Sequence, residues 1–279
     1  MRTGALLREI ARRFAKAKLH YGHGTRNATE EAAWLISSQL GYLLEEEIPA
    51  LLQRQIEALA ARRIRERVPL AYVLKEAWLG EHAFYVDRRA IVPRSFIVEL
   101  VRERFAPWSR KEPGRVLDLC TGSGCLAVLL ALEFPKAKID AVDLSAGALA
   151  VARKNVARYE LGKRIALVKS DLFSGLGKRR YDLIVSNPPY VTEKSMRALP
   201  LEYRREPALA LAAGKDGLDL VRRILAEARS RLNPGGLLVC EIGGNRKALE
   251  RAFPKQEFAW PEVSDPDCVF AVERGRLPS

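Results

Sequence analysis

The sequence predicts an α/β protein, a mostly parallel sheet wound by helices on both faces, preceded by a small helical domain and a connecting β-hairpin. Three observations lead there. From residue 115 onward, short apolar runs of strand length alternate with longer segments at helical spacing. Residues 1–74 carry helical spacing alone. Residues 75–93 change character, with aromatic and β-branched residues broken by Gly80, Asp87 and Pro93. A chain of 279 residues holds one large domain and a small one. The predicted units are therefore 1–74, 75–93 and 94–279.

The elements follow in order. Leu6, Leu7, Ile10 and Phe14 share one face of a first helix. Asn27 or Thr29 can cap a second helix through Trp34, Leu35 and Leu40, with Glu30 and Glu31 in its first turn, where negative charge suits the helix dipole. A third runs from about Pro49 through Ile56, Leu59 and Ile64. Trp78, Leu79, Phe84, Tyr85, Val86, Ile91 and Val92 form the hairpin connector. Residues 116–119 start the sheet, followed by a glycine turn and a helix over 126–134. Strands at 139–142, 165–168, 183–185 and 237–240 follow, with helices near 149–159 and 218–232. Asn233, Pro234, Gly235 and Gly236 separate the last helix from its strand. Aromatic segments around 258–260 and 269–272 complete an antiparallel edge.

Composition narrows the class. With 48% hydrophobic and 29% charged residues the chain is globular. No apolar stretch spans a bilayer, and the Arg-rich first residues, which include Glu9, read as a surface helix rather than a signal, so a cytoplasmic protein is expected. The formal charge of +13 favours an anionic partner, most simply nucleic acid or a protein bound to it. The basic clusters at 62–65 and 178–180 read as solvated faces. Cys120, Cys125, Cys240 and Cys268 lack zinc spacing and are expected as reduced thiols. His20 and His23 stand among glycines, which argues for a turn and against a metal site.

Asp118, Cys120, Thr121, Gly122, Ser123 and Gly124 lie between the first strand and its helix, where glycines let main chain approach a ligand. Asp143 ends the second strand, placed to accept two ribose hydroxyls. Asp171 follows the third, near an adenine. Their neighbours Leu144 and Leu172 belong to the same candidate site. The glycine loop also fits the dinucleotide fingerprint, so it does not by itself separate a nicotinamide enzyme from other users of adenine cofactors. A pyrophosphate would sit at a helix start. Asp118 beside the loop suits a cationic amino acid and sulfonium better.

Asn187, Pro188, Pro189 and Tyr190 follow the strand at 183–185. Two prolines force the chain out of the sheet and leave carbonyls free. An Asn amide, a rigid carbonyl-bearing turn and an aromatic ring together suit a planar NH2 group.

These four residues resemble the Asn-Pro-Pro-Tyr signature of amino-group methyltransferases that use S-adenosylmethionine. The likeness extends over nearly the whole chain to the protein glutamine N5-methyltransferases. It is carried by Tyr21-Gly22-His23-Gly24-Thr25, Phe84-Tyr85-Val86-Asp87, Val92-Pro93-Arg94-Ser95, Cys120-Thr121-Gly122-Ser123-Gly124-Cys125 and Glu202-Tyr203-Arg204-Arg205-Glu206-Pro207. One branch of that family modifies peptide-chain release factors, and the other modifies large-subunit ribosomal protein number three. Cys120 and Ser95 stand where release-factor enzymes commonly have glycine and proline, which favours the ribosomal branch.

The resemblance implies a Rossmann-like class I methyltransferase sheet, S-adenosylmethionine as cofactor and no metal. It also implies the ribosomal protein as partner, free or in an assembly intermediate with ribosomal RNA. Asn187 and Pro188 would accept hydrogen bonds from the glutamine NH2, with Tyr190 packed on the amide plane. Arg94 would shape the substrate entrance or make a linker salt bridge, and Glu206 with Pro207 would form a flap. Residues 1–74 would select the protein substrate. Release-factor methylation, N6-adenine methylation of a flipped base and a noncatalytic ribosome-binding protein are the alternatives.

Overall fold

The structure, a computed structural model, describes residues 2–41, 47–108 and 111–277. The outer ends of the predicted first and third units, residues 1 and 278–279, lie outside the described residues, as do 42–46 and 109–110.

Helices α1 (Thr3–Lys16), α2 (Ala28–Leu40), α3 (Ala50–Glu66) and α4 (Leu70–Leu74) come first. Leu6, Ile10 and Phe14 of α1 share one core with Leu35 and Ile36 of α2 and Ile56 and Ala60 of α3. Burying each large apolar side chain contributes about 1.5–3 kcal/mol. Asn27 is the residue that caps α2. It accepts from the Glu30 N–H at 2.9 Å, while Glu30 accepts from the Arg26 N–H at 2.8 Å. Helix α4 is too short to show a period, and its Leu70, Ala71, Tyr72 and Val73 are all buried.

Strands β1 (Glu76–Leu79) and β2 (His82–Tyr85) pair as an antiparallel hairpin. The hairpin is fused to the larger unit. Phe84 lies in the core of the main sheet, and the Asn155 side chain brackets Tyr85, accepting from its N–H at 2.7 Å and donating to its carbonyl at 3.0 Å.

The rest of the chain runs α5 (Ile97–Arg102), β3 (Arg115–Leu119), α6 (Cys125–Glu133), β4 (Lys138–Asp143), α7 (Ala146–Arg158) and β5 (Ile165–Lys169). Then come β6 (Tyr181–Ser186), α8 (Glu193–Ala198), α9 (Asp219–Arg231), β7 (Leu232–Glu241), α10 (Arg246–Ala252) and β8 (Val269–Glu273). The sheet order is β5-β4-β3-β6-β7-β8, parallel except for β8. Side chains alternate between two cores. Val116, Ile139, Leu183 and Val239 pack with α5 and α6, whereas Leu117, Val142, Ile184 and Leu238 pack with α9. Helices cover both faces, so the strands read as nearly continuous apolar runs. The order reverses beside β3, where open α/β sheets form their ligand crevice.

One predicted boundary moves. Residues 233–236 lie inside β7 instead of ahead of it. Leu232 pairs with Tyr181 and Leu237 with Leu183, so the extra residues form a bulge, and Gly235 takes φ 75° within it. The strand also continues past Cys240 to Glu241. At the edge, Ala259 pairs with Ala271 of β8 as an isolated bridge, and Phe258 packs edge-on to Phe270.

Candidate active site

A cleft opens at the carboxyl ends of β3, β4 and β6, holding about 990 Å³ of space including its mouth. Its wall contains Arg94, Cys120, Thr121, Gly122, Ser123, Asp143, Leu144, Asp171, Leu172, Asn187 and Pro189. The structure thus brings these predicted residues to one place from segments far apart in the chain. Asp118, Gly124, Pro188 and Tyr190 do not line it.

Asp118 corrects the expectation of a carboxylate beside a cationic ligand. It is fully buried beneath the loop. One oxygen accepts from the Thr121 hydroxyl at 2.5 Å and from the Ala127 N–H at 3.1 Å, and the other has no partner. Burial pushes the carboxyl up to about 7, against the pull of those two hydrogen bonds. Asp118 therefore braces the loop from inside. Gly124 serves packing. A Cβ there would come within 3.0 Å of the Ala152 Cβ on α7, and its φ is 76°.

Asp143 does face the cleft. Its two oxygens accept from the N–H groups of Gly122 at 2.9 Å and Ser145 at 2.8 Å, which ties the loop to the end of β4. Burial raises its pKa, and the two main-chain donors oppose the rise. Leu144 beside it is half exposed and offers an apolar surface. Asp171 stands at the rim, where it pairs at 2.8 Å with Arg223, a residue not expected from the sequence. Both side chains are about half exposed.

Asn187 continues β6, whose last residue Ser186 donates to the Leu119 carbonyl of β3 at 3.0 Å. The Asn187 Nδ2 donates to the main-chain carbonyl of Arg94 at 3.0 Å. This bond assigns the amide orientation and keeps Oδ1 as an acceptor. Pro188 and Pro189 are buried. Tyr190 sits behind the wall, its ring so close to Gly243 that a Cβ there would approach within 2.8 Å, and its hydroxyl donates to Glu241 at 3.3 Å.

Two carboxylates complete the setting. Glu206 accepts from both terminal nitrogens of Arg94, at 2.7 and 2.8 Å, and from the Val92 N–H at 2.9 Å. His23 Nε2 lies 3.5 Å away. Arg94 thus lines the cleft and makes the linker ion pair. Burial works against the Glu206 charge, but Arg94 and His23 outweigh it and hold the carboxyl down to about 2. Glu241 accepts from the Ser95 hydroxyl at 2.6 Å and the Phe96 N–H at 3.0 Å. Sequence reading passed it over, although it is a further acidic residue at a strand's carboxyl end.

The cluster at 62–65 is the second correction. Arg63 has no exposed surface. Helix α3 turns it inward to donate to Glu31 at 2.6 Å, to Glu202 at 3.4 Å and to the His20 carbonyl at 3.1 Å. The helical domain is thereby ion-paired to the segment that carries Glu206. All four cysteines are free, three of them buried. Among the described residues no group of three or more His, Cys, Asp or Glu could hold a metal, and no helix is long and apolar enough to cross a membrane.

The methyltransferase small domain family model matches residues 100–200. Among solved structures, the hMettl16 catalytic domain, determined with a 3′UTR hairpin, has a TM-score of 0.54 at 16% identity, covering 86% of this chain and 91% of that one. The strand order, the glycine-lined cleft at the carboxyl edge and the domain match define a Rossmann-like class I methyltransferase. The chain is 48% identical over 291 residues to the ribosomal protein uL3 glutamine methyltransferase of Burkholderia pseudomallei, covering 98% of this chain and 95% of the relative. It is 49% identical over 282 residues to those of Bordetella pertussis and Neisseria meningitidis, again over 98% of this chain and 95% and 93% of the relatives. The chain belongs to this family of uL3 glutamine methyltransferases.

Proposed function

We propose that this protein methylates the side-chain amide nitrogen of a glutamine in ribosomal protein uL3, with S-adenosylmethionine as donor. The observation that carries the reading is the Asn187 amide, held by the Arg94 carbonyl in the cleft that also contains Asp143. The residues present fit the donor. Asp143 has no cation partner among the described residues and takes the ribose hydroxyls. Leu144 covers an adenine face, and the loop at 120–123 lies along the amino-acid part. When bound, S-adenosylmethionine supplies an electrophilic methyl group on a sulfonium.

The chain's own residues act on the acceptor. An amide nitrogen is a weak nucleophile because its lone pair is shared with the carbonyl, a resonance whose size is seen in the ~18–20 kcal/mol rotation barrier of a peptide bond. Its hydrogens grow more acidic as it attacks, so acceptors placed on them strengthen toward the transition state. Asn187 Oδ1, on the cleft wall, is one of those acceptors, and by family resemblance the carbonyl of Pro188, which does not itself line the cleft, is the other. Tyr190, tethered to Glu241, keeps the turn rigid, and the fixed wall holds the amide in line with the methyl group. No base is required before attack, because the proton can leave afterwards.

Residues 1–74 select the protein substrate in this reading. A charge of +13 would repel a basic ribosomal protein at long range, so uL3 already bound to ribosomal RNA is the favoured form. The test is incubation with radiolabelled cofactor and, separately, uL3, an RNA-bound precursor particle, a release factor and DNA. Label in uL3, stronger in the particle, is expected. Label in the release factor alone moves the substrate to the sister branch, and label in DNA overturns the reading.

A further inference from the structure

The Arg94 carbonyl that orients Asn187 belongs to a stretch of irregular chain, residues 92–96, with no sheet or helix to stiffen it. Its fixity has another source. At one end Glu206 takes the Val92 N–H and both terminal nitrogens of Arg94. At the other end Glu241 takes the Ser95 hydroxyl and the Phe96 N–H. Both carboxylates are buried, at 5% and 2% exposure, so water does not compete for these bonds. Each belongs to a different part of the fold. Glu241 ends β7, and its other oxygen holds Tyr190. Glu206 follows the turn that Arg63 and Arg67 pair through Glu202.

We propose that Glu206 and Glu241 are positioning residues for the acceptor: they clamp residues 92–96 between them and, through the Arg94 carbonyl, set the Asn187 amide. This rests on the reading that Asn187 receives the glutamine NH2. The two carboxylates differ in what they require. Glu206 faces a guanidinium in a two-pronged pair with His23 alongside, so its negative charge is part of the contact. Glu241 has neutral donors only, a serine hydroxyl, a main-chain N–H and a tyrosine hydroxyl. A glutamine keeps them all, its oxygen accepting from Ser95 and Phe96 and its NH2 donating to a Tyr190 hydroxyl turned to accept. The same isosteric substitution therefore has opposite outcomes at the two positions.

The experiment uses the full chain with tritiated S-adenosylmethionine and purified uL3, measuring kcat, KM for uL3 and, by calorimetry, the cofactor Kd. Glu206→Gln lowers kcat roughly tenfold or more while the cofactor Kd stays within about twofold, because a misplaced acceptor costs rate rather than donor affinity. Glu241→Gln keeps kcat within about threefold, whereas Glu241→Ala falls roughly tenfold or more, leaving the Ser95 and Phe96 donors unpaired. Arg94→Lys keeps the cation without the fork. It reads the Glu206 contact even if Glu206→Gln folds poorly, and its kcat falls too. Loss of cofactor binding in Glu206→Gln, or equal losses in Glu241→Gln and Glu241→Ala, would overturn the proposal. If wild type labels uL3 and Asn187→Ala does not, yet Glu206→Gln and Glu241→Ala keep their rates, the clamp fails alone. A wild type that labels no uL3 fails the reading beneath it.

Discussion

Asn187 and Arg94 meet through one hydrogen bond of 3.0 Å, side-chain amide to main-chain carbonyl, across 93 residues of sequence. The bond uses the Asn187 nitrogen and so reserves its oxygen. An Asn, and not an Asp, satisfies this geometry, since a carboxylate would set two acceptors against each other.

Asn187→Ala and Asn187→Asp are both expected to bind S-adenosylmethionine with near wild-type affinity and to lose methyl transfer by roughly 10²-fold or more, as for removal of one preorganised transition-state partner. Single-turnover transfer to uL3 beside calorimetric titration separates the two effects. A rapid Asn187→Asp enzyme would show that the Arg94 contact does not set the amide.

Asp143→Ala should weaken cofactor binding. On the proposed reading the carboxylate accepts from the ribose, and it ties Gly122 to Ser145. Loss of such a charged partner costs about 1.5–3 kcal/mol, which corresponds to roughly 10–150-fold in Kd. An unchanged Kd in a folded variant removes Asp143 from the cofactor site.

Arg63→Met should destabilise the chain by about 3–5 kcal/mol, because Glu31 loses its cation in the interior and Glu202 keeps only Arg67. Adding Glu31→Gln and Glu202→Gln should restore much of that loss. Urea unfolding at neutral pH measures both. A change below about 1 kcal/mol would mean the pair resembles an exposed one.

Stability should depend on pH in a definite direction. Burial pushes Asp118 and Glu241 up to about 7, whereas unfolded carboxyls titrate near about 4. Between those values the folded chain holds protons that the unfolded chain has released, so stability falls as pH rises through the window and then levels. Glu206, held down to about 2, acts oppositely. Its contribution is complete above about pH 4 and is lost as pH drops toward 2. Asp118→Asn should flatten the fall between about pH 4 and 7 in urea midpoints. An unaltered slope would mean that Asp118 titrates as an exposed carboxyl.

The sheet was legible because its strands are covered on both faces. Runs such as Leu183-Ile184-Val185 admit few other placements, and each is followed by a turn that carries chemistry. Asn187 and Asp143 stood out because they end such runs. Arg63 was not legible. It sits among Arg62 and Arg65, which are at least partly exposed, and its partner Glu202 lies 139 residues away, so no local spacing records the pairing. The burial of Asp118 was hidden for a related reason. Proximity in sequence to the glycine loop does not say on which side of the loop the carboxylate falls. The bulge at 233–236 looked like a boundary because proline and glycine mark both.

Cys120 adopts φ 59°, a left-handed backbone that a side chain tolerates poorly. Its side chain is partly buried, so the surroundings impose the shape that glycine would reach freely. The loop therefore keeps by confinement a path that glycine would keep by backbone freedom. Residue 120 is then set by the backbone it must adopt more than by the reaction. An exchange to glycine would leave the path of the loop unchanged.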